Sequence, residues 1–413
     1  MRRLVPLLLT ALLLSSGACG LRQESLTVLA SWTGDEEVAF RAVLDAFTEE
    51  TGIEVTYTGT RALTQVLQTD VQKGAPPDIA VLPSPAEVVR YVRAGAVKPM
   101  ADVVVGEAAD AYSAQWRGLR AAGTDTVHAI PVKVDLKSII WYDPAVIPLP
   151  PGTWAELTAL TERLRAAGRA PWCVGLAAAP ASGWPGTDWV EDILLHQAGP
   201  EVYRRWAAGT QAWTSAPVRQ AWLTWGSLVL PPGSVRGDVR SALVTDFADA
   251  SKSLTAGRCA LEHQASFAIG GHRDADYFPF PSVEPGNAGL AEVSADLAVA
   301  FTDTKATRAF MAYLASADGQ RIWPARGTAF SPRRGVEQHG TAVSARIAKT
   351  LANSPGLCFD ASDLMPARMS GAFQRAALAY LADPTQLDTL LTDLDRVRAG
   401  LADDERLDVA CGR

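Results

Sequence analysis

Residues 26–82 read LTVLA SWTGDEEVAFRAVLDAFTEE TG IEVTYTGT RALTQVLQTDVQK GAPPD IAVL, and this stretch decides the fold. Leu26 to Ala30 is a short apolar run of strand length. The segment opening at Trp32-Thr33-Gly34-Asp35 sets Phe40, Val43, Leu44 and Phe47 at helical spacing as far as about Glu50, and Thr51-Gly52 ends it. Ile53 to Tyr57 alternates like a strand, Leu63 to Lys73 is helical, and Asp78 to Leu82 is another strand. A β-α-β-α-β series of this kind predicts a mainly parallel sheet with helices on its faces. Ligands of such sheets sit beyond the carboxyl ends of the strands. Trp32, Glu36, Arg61 and the run Pro83-Ser84-Pro85 occupy such positions.

Working outward, Val127 to Val132 and Ser138 to Tyr142 read as strands joined by a polar connector, Lys133 to Lys137, with a crossover between two lobes at Pro131 to Lys133. Thr153-Trp154-Ala155-Glu156 is a capping box that starts a helix reaching about Ala167. A mostly helical region runs from Trp189 through Val229 and breaks at Pro231-Pro232-Gly233. Ala260 to Ala268, Asp276 to Pro281 and Ser294 to Phe301 read as strands, the last returning to the first lobe ahead of a helix from Lys305 to about Ser316. The expected division is a leader over 1–18, a first lobe from 19–130 and 291–335, and a second lobe from 131–290 with the helical tail 336–413.

The chain has 413 residues, 48% of them hydrophobic, enough for two cores. A net charge of −7, with no basic tract in the mature region, argues against a nucleic-acid partner. Met1-Arg2-Arg3, the apolar run Leu4 to Leu14 and the small residues Ser15 to Ala18 form an export signal too short to span a bilayer. Cys19, directly after the small residues, resembles the lipidated cysteine of bacterial lipoproteins, although Ser16 stands where that pattern usually has Leu. The mature protein is therefore expected outside the cytoplasm, held to the membrane through Cys19. Export places Cys173, Cys259, Cys358 and Cys411 in an oxidising compartment, where four thiols allow three pairings. Cys173 with Cys259 and Cys358 with Cys411 is favoured over the others and over free thiols, since the second bridge would pin the polar C-terminal tail.

Several runs, in order and spacing, resemble the extracellular solute-binding proteins of carbohydrate ABC importers, most of all the α-glucoside-binding members. They are Ser31 to Glu36, Gly74 to Ala80, Pro131 to Ser138, Trp141 to Pro144, Ala181-Ser182-Gly183-Trp184-Pro185-Gly186-Thr187-Asp188-Trp189-Val190-Glu191-Asp192, and Phe359 to Pro366. The resemblance implies an α/β two-lobed fold of the type II periplasmic-binding kind, with hinge crossovers and a central cleft. It implies a sugar ligand, an ABC permease as partner and no catalysis.

A neutral sugar needs groups that donate and accept in fixed directions, together with flat apolar platforms. Glu36, Asp135 and Asp188 supply acceptors, and Arg61 and Lys133 supply donors. Trp32, Trp141, Tyr142, Trp184 and Trp189 are candidate platforms, with Asp78 and Arg333 as further candidates at the cleft rim. Each has a plainer alternative. Glu36 faces the N-terminus of its own helix, one of Trp141 and Tyr142 points into the lobe, Asp188 is an N-cap for a helix starting at Trp189, and Asp78 anchors backbone. Trp184, on the Gly-Trp-Pro-Gly turn, has little reason to lie in a core. Glu262-His263-Gln264 reads as a strand and not as a metal site. No cofactor motif occurs, and nothing requires an oligomer. A glycoside hydrolase would need two carboxylates about 5–9.5 Å apart across the cleft, and a receptor for another solute is the remaining alternative.

Overall fold

The computed structural model describes residues 24–103, 110–120, 124–272, 274–336, 340–409 and 411–412. The export signal and Cys19 lie outside these residues.

The opening series folds as its pattern dictates. β1 (Ser25–Ala30) lies between β2 (Glu54–Gly59) and β3 (Ile79–Leu82), parallel to both, and helices Asp35–Thr51 and Leu63–Gln72 make the connections. Asp35, Glu36 and Glu37 put negative charge on the first turn of the first helix, and Gly52, at φ 73°, closes it. Strand alternation sends Leu26, Val28 and Ala30 to a core shared with Phe40, Phe47 and Phe310, and Leu29 to the opposite face.

The sheet continues with antiparallel β8 (Ala291–Ala300) beside β3 and β4 (Ala129–Leu136) beside β8. β8 links two parts of the sheet. Its end, Leu297 to Ala300, pairs with β3, whereas its start, Ala291 to Val293, pairs in parallel with β9 (Leu357–Phe359). β10 (Cys411–Gly412) is the edge strand beyond β9. A separate sheet orders β6 (Leu261–His263), β5 (Ile139–Tyr142) and β7 (Asp276–Pro279); helix Trp184–Ala198 bonds β6 through Asp192 and His263, and helices Ala216–Val229 and Ala367–Ala382 pack against that helix. The result is a two-lobed α/β molecule.

Several expectations need correction. Lys133 to Lys137 is not a connector: β4 runs unbroken to Leu136, and its only irregularity is a shift of register between Pro131 and Lys133. Proline has no N–H for the ladder, which places the bulge. The polar residues alternate because Lys133 and Asp135 share a face on which both are buried against partners. The strand expected at Ala260 to Ala268 stops at His263, and Ser266–Gly271 forms a 3₁₀ turn. The helix expected from Trp189 starts at Trp184, so Asp188 lies within it and caps nothing. Gly183 precedes that helix at φ 106°, where a Cβ would sit 2.4 Å from the Gln374 carbonyl oxygen, so no other residue fits.

Both favoured bridges are formed, Cys173 with Cys259 and Cys358 with Cys411. Cys358 and Cys411 face each other across β9 and β10, which ties the tail to the sheet edge. Of the twelve tryptophans, only Trp154 and Trp184 are not buried.

Candidate ligand cleft

Residues that follow β1, β2 and β3 meet later parts of the chain: Trp32 reaches Asp296, Arg61 reaches Asp246 and Ser84 reaches Asp363, and Glu36 meets Lys133 of β4. Lys133 projects from β4 into this junction. Its ammonium lies 2.8 Å from Glu36, 2.9 Å from Asp135 and 3.6 Å from Asp296 of β8. Burial disfavours the charged ammonium, but the three carboxylates outweigh it and hold the Lys133 pKa well above the usual lysine value. Asp296 is pushed up to about 6, first by burial and then by Asp135 and Glu36, against the pull of Lys133. The Trp32 indole donates to Asp296 (3.2 Å) and Ser266 Oγ donates to Asp135 (2.9 Å). Glu36 is the member of this group open to water, at 28% side-chain exposure.

Beside this cluster three half-buried rings form a wall. Trp184 lies 5.1 Å from Phe247 and 6.1 Å from Phe267, and Phe247 lies 6.1 Å from Phe267, measured between centroids. Each ring has a cation near it: Arg61 is 4.9 Å from Phe247, Lys133 5.8 Å from Phe267 and Lys137 5.9 Å from Trp184. Arg61 also reaches across to Asp246 at 3.4 Å, the residue whose side chain caps helix Phe247–Thr255. A second link joins the sides, from Ser84 Oγ to the Asp363 carbonyl at 2.7 Å.

Lys137 anchors a deeper cluster. Its ammonium bonds Asp360 and, at 3.0 Å, Asp188. Asp188, Glu191 and Asp360 bring carboxylate oxygens within 4.8 Å of one another, a grouping of metal-ligand type that the sequence did not reveal; here the Lys137 ammonium stands against two of the three. Asp188 is pushed up to about 6 by burial, opposed by Lys137.

The structure thus gathers Glu36, Arg61, Lys133, Asp135, Trp184 and Asp188 around the junction. Trp32 is also there, but only 2% exposed, with its ring packed on Phe40 and Trp323 and its N–H alone turned to the cluster. Other candidates are placed elsewhere. Trp141 is fully buried, with its indole on the Gln264 carbonyl (2.8 Å), so it is a core residue. Tyr142 packs on Phe278 at 5% exposure, so neither member of that pair faces the cleft. Trp189 is sandwiched between Trp172 and His263. Asp78 stands just before β3, at the end of the sheet away from the cleft, and ties Thr27 to Thr302. Arg333 donates to the Ala315 carbonyl at a helix end. His263 bonds Asp192 at 2.9 Å as an ordinary buried pair. Sequence reasoning missed Asp296, Asp246, Phe247, Phe267 and Asp360. Asp296, a lone acid in the apolar strand Ala295 to Ala300, is the one with a readable signal.

Residues 32–321 match the model of the bacterial extracellular solute-binding protein family. The chain belongs to this family. It is 33% identical to the alpha-glucosides-binding periplasmic protein AglE of Rhizobium meliloti, over 89% of this chain and 86% of that one. It is 31% identical to the osmoprotective compounds-binding protein GgtB of Synechocystis sp., over 88% and 91% respectively. Among solved structures, the bacterial solute receptor AcbH, described as preferring β-D-galactopyranose exclusively, superposes with a TM-score of 0.79 over 91% of this chain and 98% of its own, at 15% identity. That likeness establishes the fold. Among the described residues, no helix is long and apolar enough to cross a membrane.

Proposed function

We propose that this family member captures an α-glucoside or a related di- or oligosaccharide by closure of the two lobes and delivers it to an ABC permease, without chemical change to the ligand. One observation carries the reading: hydrogen-bonding groups of both signs, Glu36, Arg61, Lys133, Asp135, Asp246 and Asp296, converge beside the ring wall of Trp184, Phe247 and Phe267. Aromatic faces match the C–H faces of a pyranose, and fixed ionic groups match its hydroxyls. The kinship with AglE supports the glucoside class. Asp188, one helical turn beyond Trp184, bonds the Lys137 ammonium that lies near the Trp184 ring.

In this reading the lobes are 19–130 with 291–335, and 131–290 with the tail 336–413, and β4 and β8 are the hinge. Ligand favours closure only through contacts that both lobes make at once. Cys19 is the lipid anchor, in keeping with a receptor that must stay near its permease. The test is calorimetric titration of the chain begun after Cys19 with maltose, trehalose, sucrose and raffinose, alongside amino acids and polyamines, with chromatography of the recovered ligand. Saturable binding of a glucoside recovered intact is the expected result. Binding only of a non-sugar solute overturns the sugar reading, and a cleaved product overturns the non-enzymatic one.

A further inference from the structure

The cluster around Lys137 contains more acid than its cation can answer. Glu191 Oε2 accepts from the Ala361 and Ser362 N–H groups at 2.7 and 3.3 Å, while its Oε1 finds no donor. Glu292, on β8, has 0% exposure, and neither of its carboxyl oxygens accepts a hydrogen bond. The groups acting on this pair are Lys137 after β4, Asp188 and Asp192 on helix Trp184–Ala198, Tyr203, and Asp360 after β9; His196 of that helix and His263 of β6 face Asp192, and Asp363 faces Lys137 and Asp360. Asp192 is answered separately, by His196 at 3.0 Å, His263 at 2.9 Å and the Ser138 hydroxyl. That leaves Asp188, Glu191, Glu292, Asp360 and Asp363 against one ammonium.

Buried carboxylates at such spacing do not all ionise, because each further charge is opposed both by lost hydration and by its neighbours. A proton relieves both, and it turns a surplus acceptor into a donor. The two side chains with orphaned oxygens are where protons belong. Burial first, and neighbouring acids second, raise the pKa of Glu191 and of Glu292 well above the ordinary glutamate value.

We propose that Glu191 and Glu292 carry protons at neutral pH and act as an acid-favoured lock where the two lobes join. Lys137 directly follows β4 and Glu292 lies in β8, the two strands that pass through the junction, and the Lys137 N–H donates to the Glu292 carbonyl at 2.8 Å. Loss of these protons places unanswered negative charge where β8 packs against helix Trp184–Ala198, beside Lys137 and Asp360. The sign follows from raised folded-state values: the stability these groups contribute is complete below the ordinary glutamate range and is withdrawn as pH climbs through their folded values. Asp363 is held up in the same manner, by burial and by Asp360, so the whole pH slope belongs to more than two groups. Substitution isolates the share of the pair.

The experiment compares the ligand-free wild type with Glu292→Gln and Glu191→Gln, by thermal melting from pH 5.5 to 8.5 and by infrared spectroscopy of protonated carboxyls at pH 8. The wild type is expected to melt at least about 3 °C higher at pH 5.5 than at 8.5. Glu292→Gln keeps the charge pattern of the protonated form, so it should match wild type at pH 5.5 and lose less on going to 8.5. The infrared band should weaken in each variant. A flat or reversed wild-type profile overturns the proposal, as does an equal loss of melting temperature at both pH values in Glu292→Gln, or a band absent from the wild type. Stabilisation at pH 8.5 by calcium, reversed by EDTA, also overturns it, since the carboxylates would then be metal ligands.

Discussion

Lys133 and Lys137 stand four residues apart on one stretch of chain, each buried, each bonded to carboxylates and each near a ring of the same aromatic wall. What separates them is the outer partner. Lys133 is bonded to Glu36, which is 28% exposed and sits at the head of a helix of the first lobe, so water or ligand hydroxyls can take over part of its work. Lys137 is bonded to Asp188 and Asp360, both at or below 5% side-chain exposure, and nothing mobile can replace it. On the proposed reading, the same ion-pair chemistry makes a binding group at one position and a structural keystone at the other. Access to an exchangeable partner decides which.

The largest expected effect tests that distinction. Lys137→Met leaves Asp188 and Asp360 buried without a cation, and removing one partner of a buried pair costs about 3–5 kcal/mol. Lys133→Met leaves a cluster with an open side, where water can reach the freed Glu36 carboxylate. Its stability cost should be smaller, about 1–3 kcal/mol, while saccharide binding should be lost. Urea unfolding of both variants with ligand titration of the second checks the contrast. Equal costs would show that the solvent-facing Glu36 makes no difference.

The legibility of the sequence divides along the same line. Periodicity reveals the first three strands, their helices and the ends at which ligand groups collect, because apolar spacing directly reports which face is buried. The capping box at Thr153 and Glu156 was also readable, because its hydrogen bonds are local. β4 was not. Lys133, Asp135 and Lys137 look like a solvated connector until Asp296, Asp188 and Asp360 arrive from strands and helices distant in sequence. Tryptophans misled for a similar reason. Trp141 and Trp189 carry the same side chain as Trp184, but their N–H groups or faces are satisfied inside the second lobe, and only tertiary packing distinguishes a core ring from a platform.

A middle-sized effect sharpens that second distinction. Trp184→Ala removes a half-buried ring from the wall and should weaken saccharide binding by about 2 kcal/mol, with little loss of melting temperature. Trp189→Ala should do the reverse: its ring is 2% exposed between Trp172 and His263, and removing a buried aromatic costs about 3–5 kcal/mol of stability. Calorimetry and thermal melting on the two variants separate the roles. Full affinity in Trp184→Ala would remove that ring from the ligand surface.

The smallest effect concerns the rim, where the contrast between exchangeable and fixed partners is most extreme. Arg61 and Asp246 pair at 3.4 Å with side-chain exposures of 47% and 35%, and pairs this open contribute about 0–1 kcal/mol. Yet Arg61 follows β2, Asp246 caps helix Phe247–Thr255, and the guanidinium also covers Phe247 at 4.9 Å, so on the proposed division of the lobes the contact exists only when they are together. Arg61→Ala should therefore leave the melting temperature unchanged and raise the ligand dissociation rate by up to about fivefold at low salt. High salt should shrink the difference by screening the pair. Stopped-flow dissociation at two ionic strengths measures it. A rate increase that survives high salt would assign the effect to the stacking on Phe247, and no increase would leave closure to the Lys133 cluster and the Ser84–Asp363 bond.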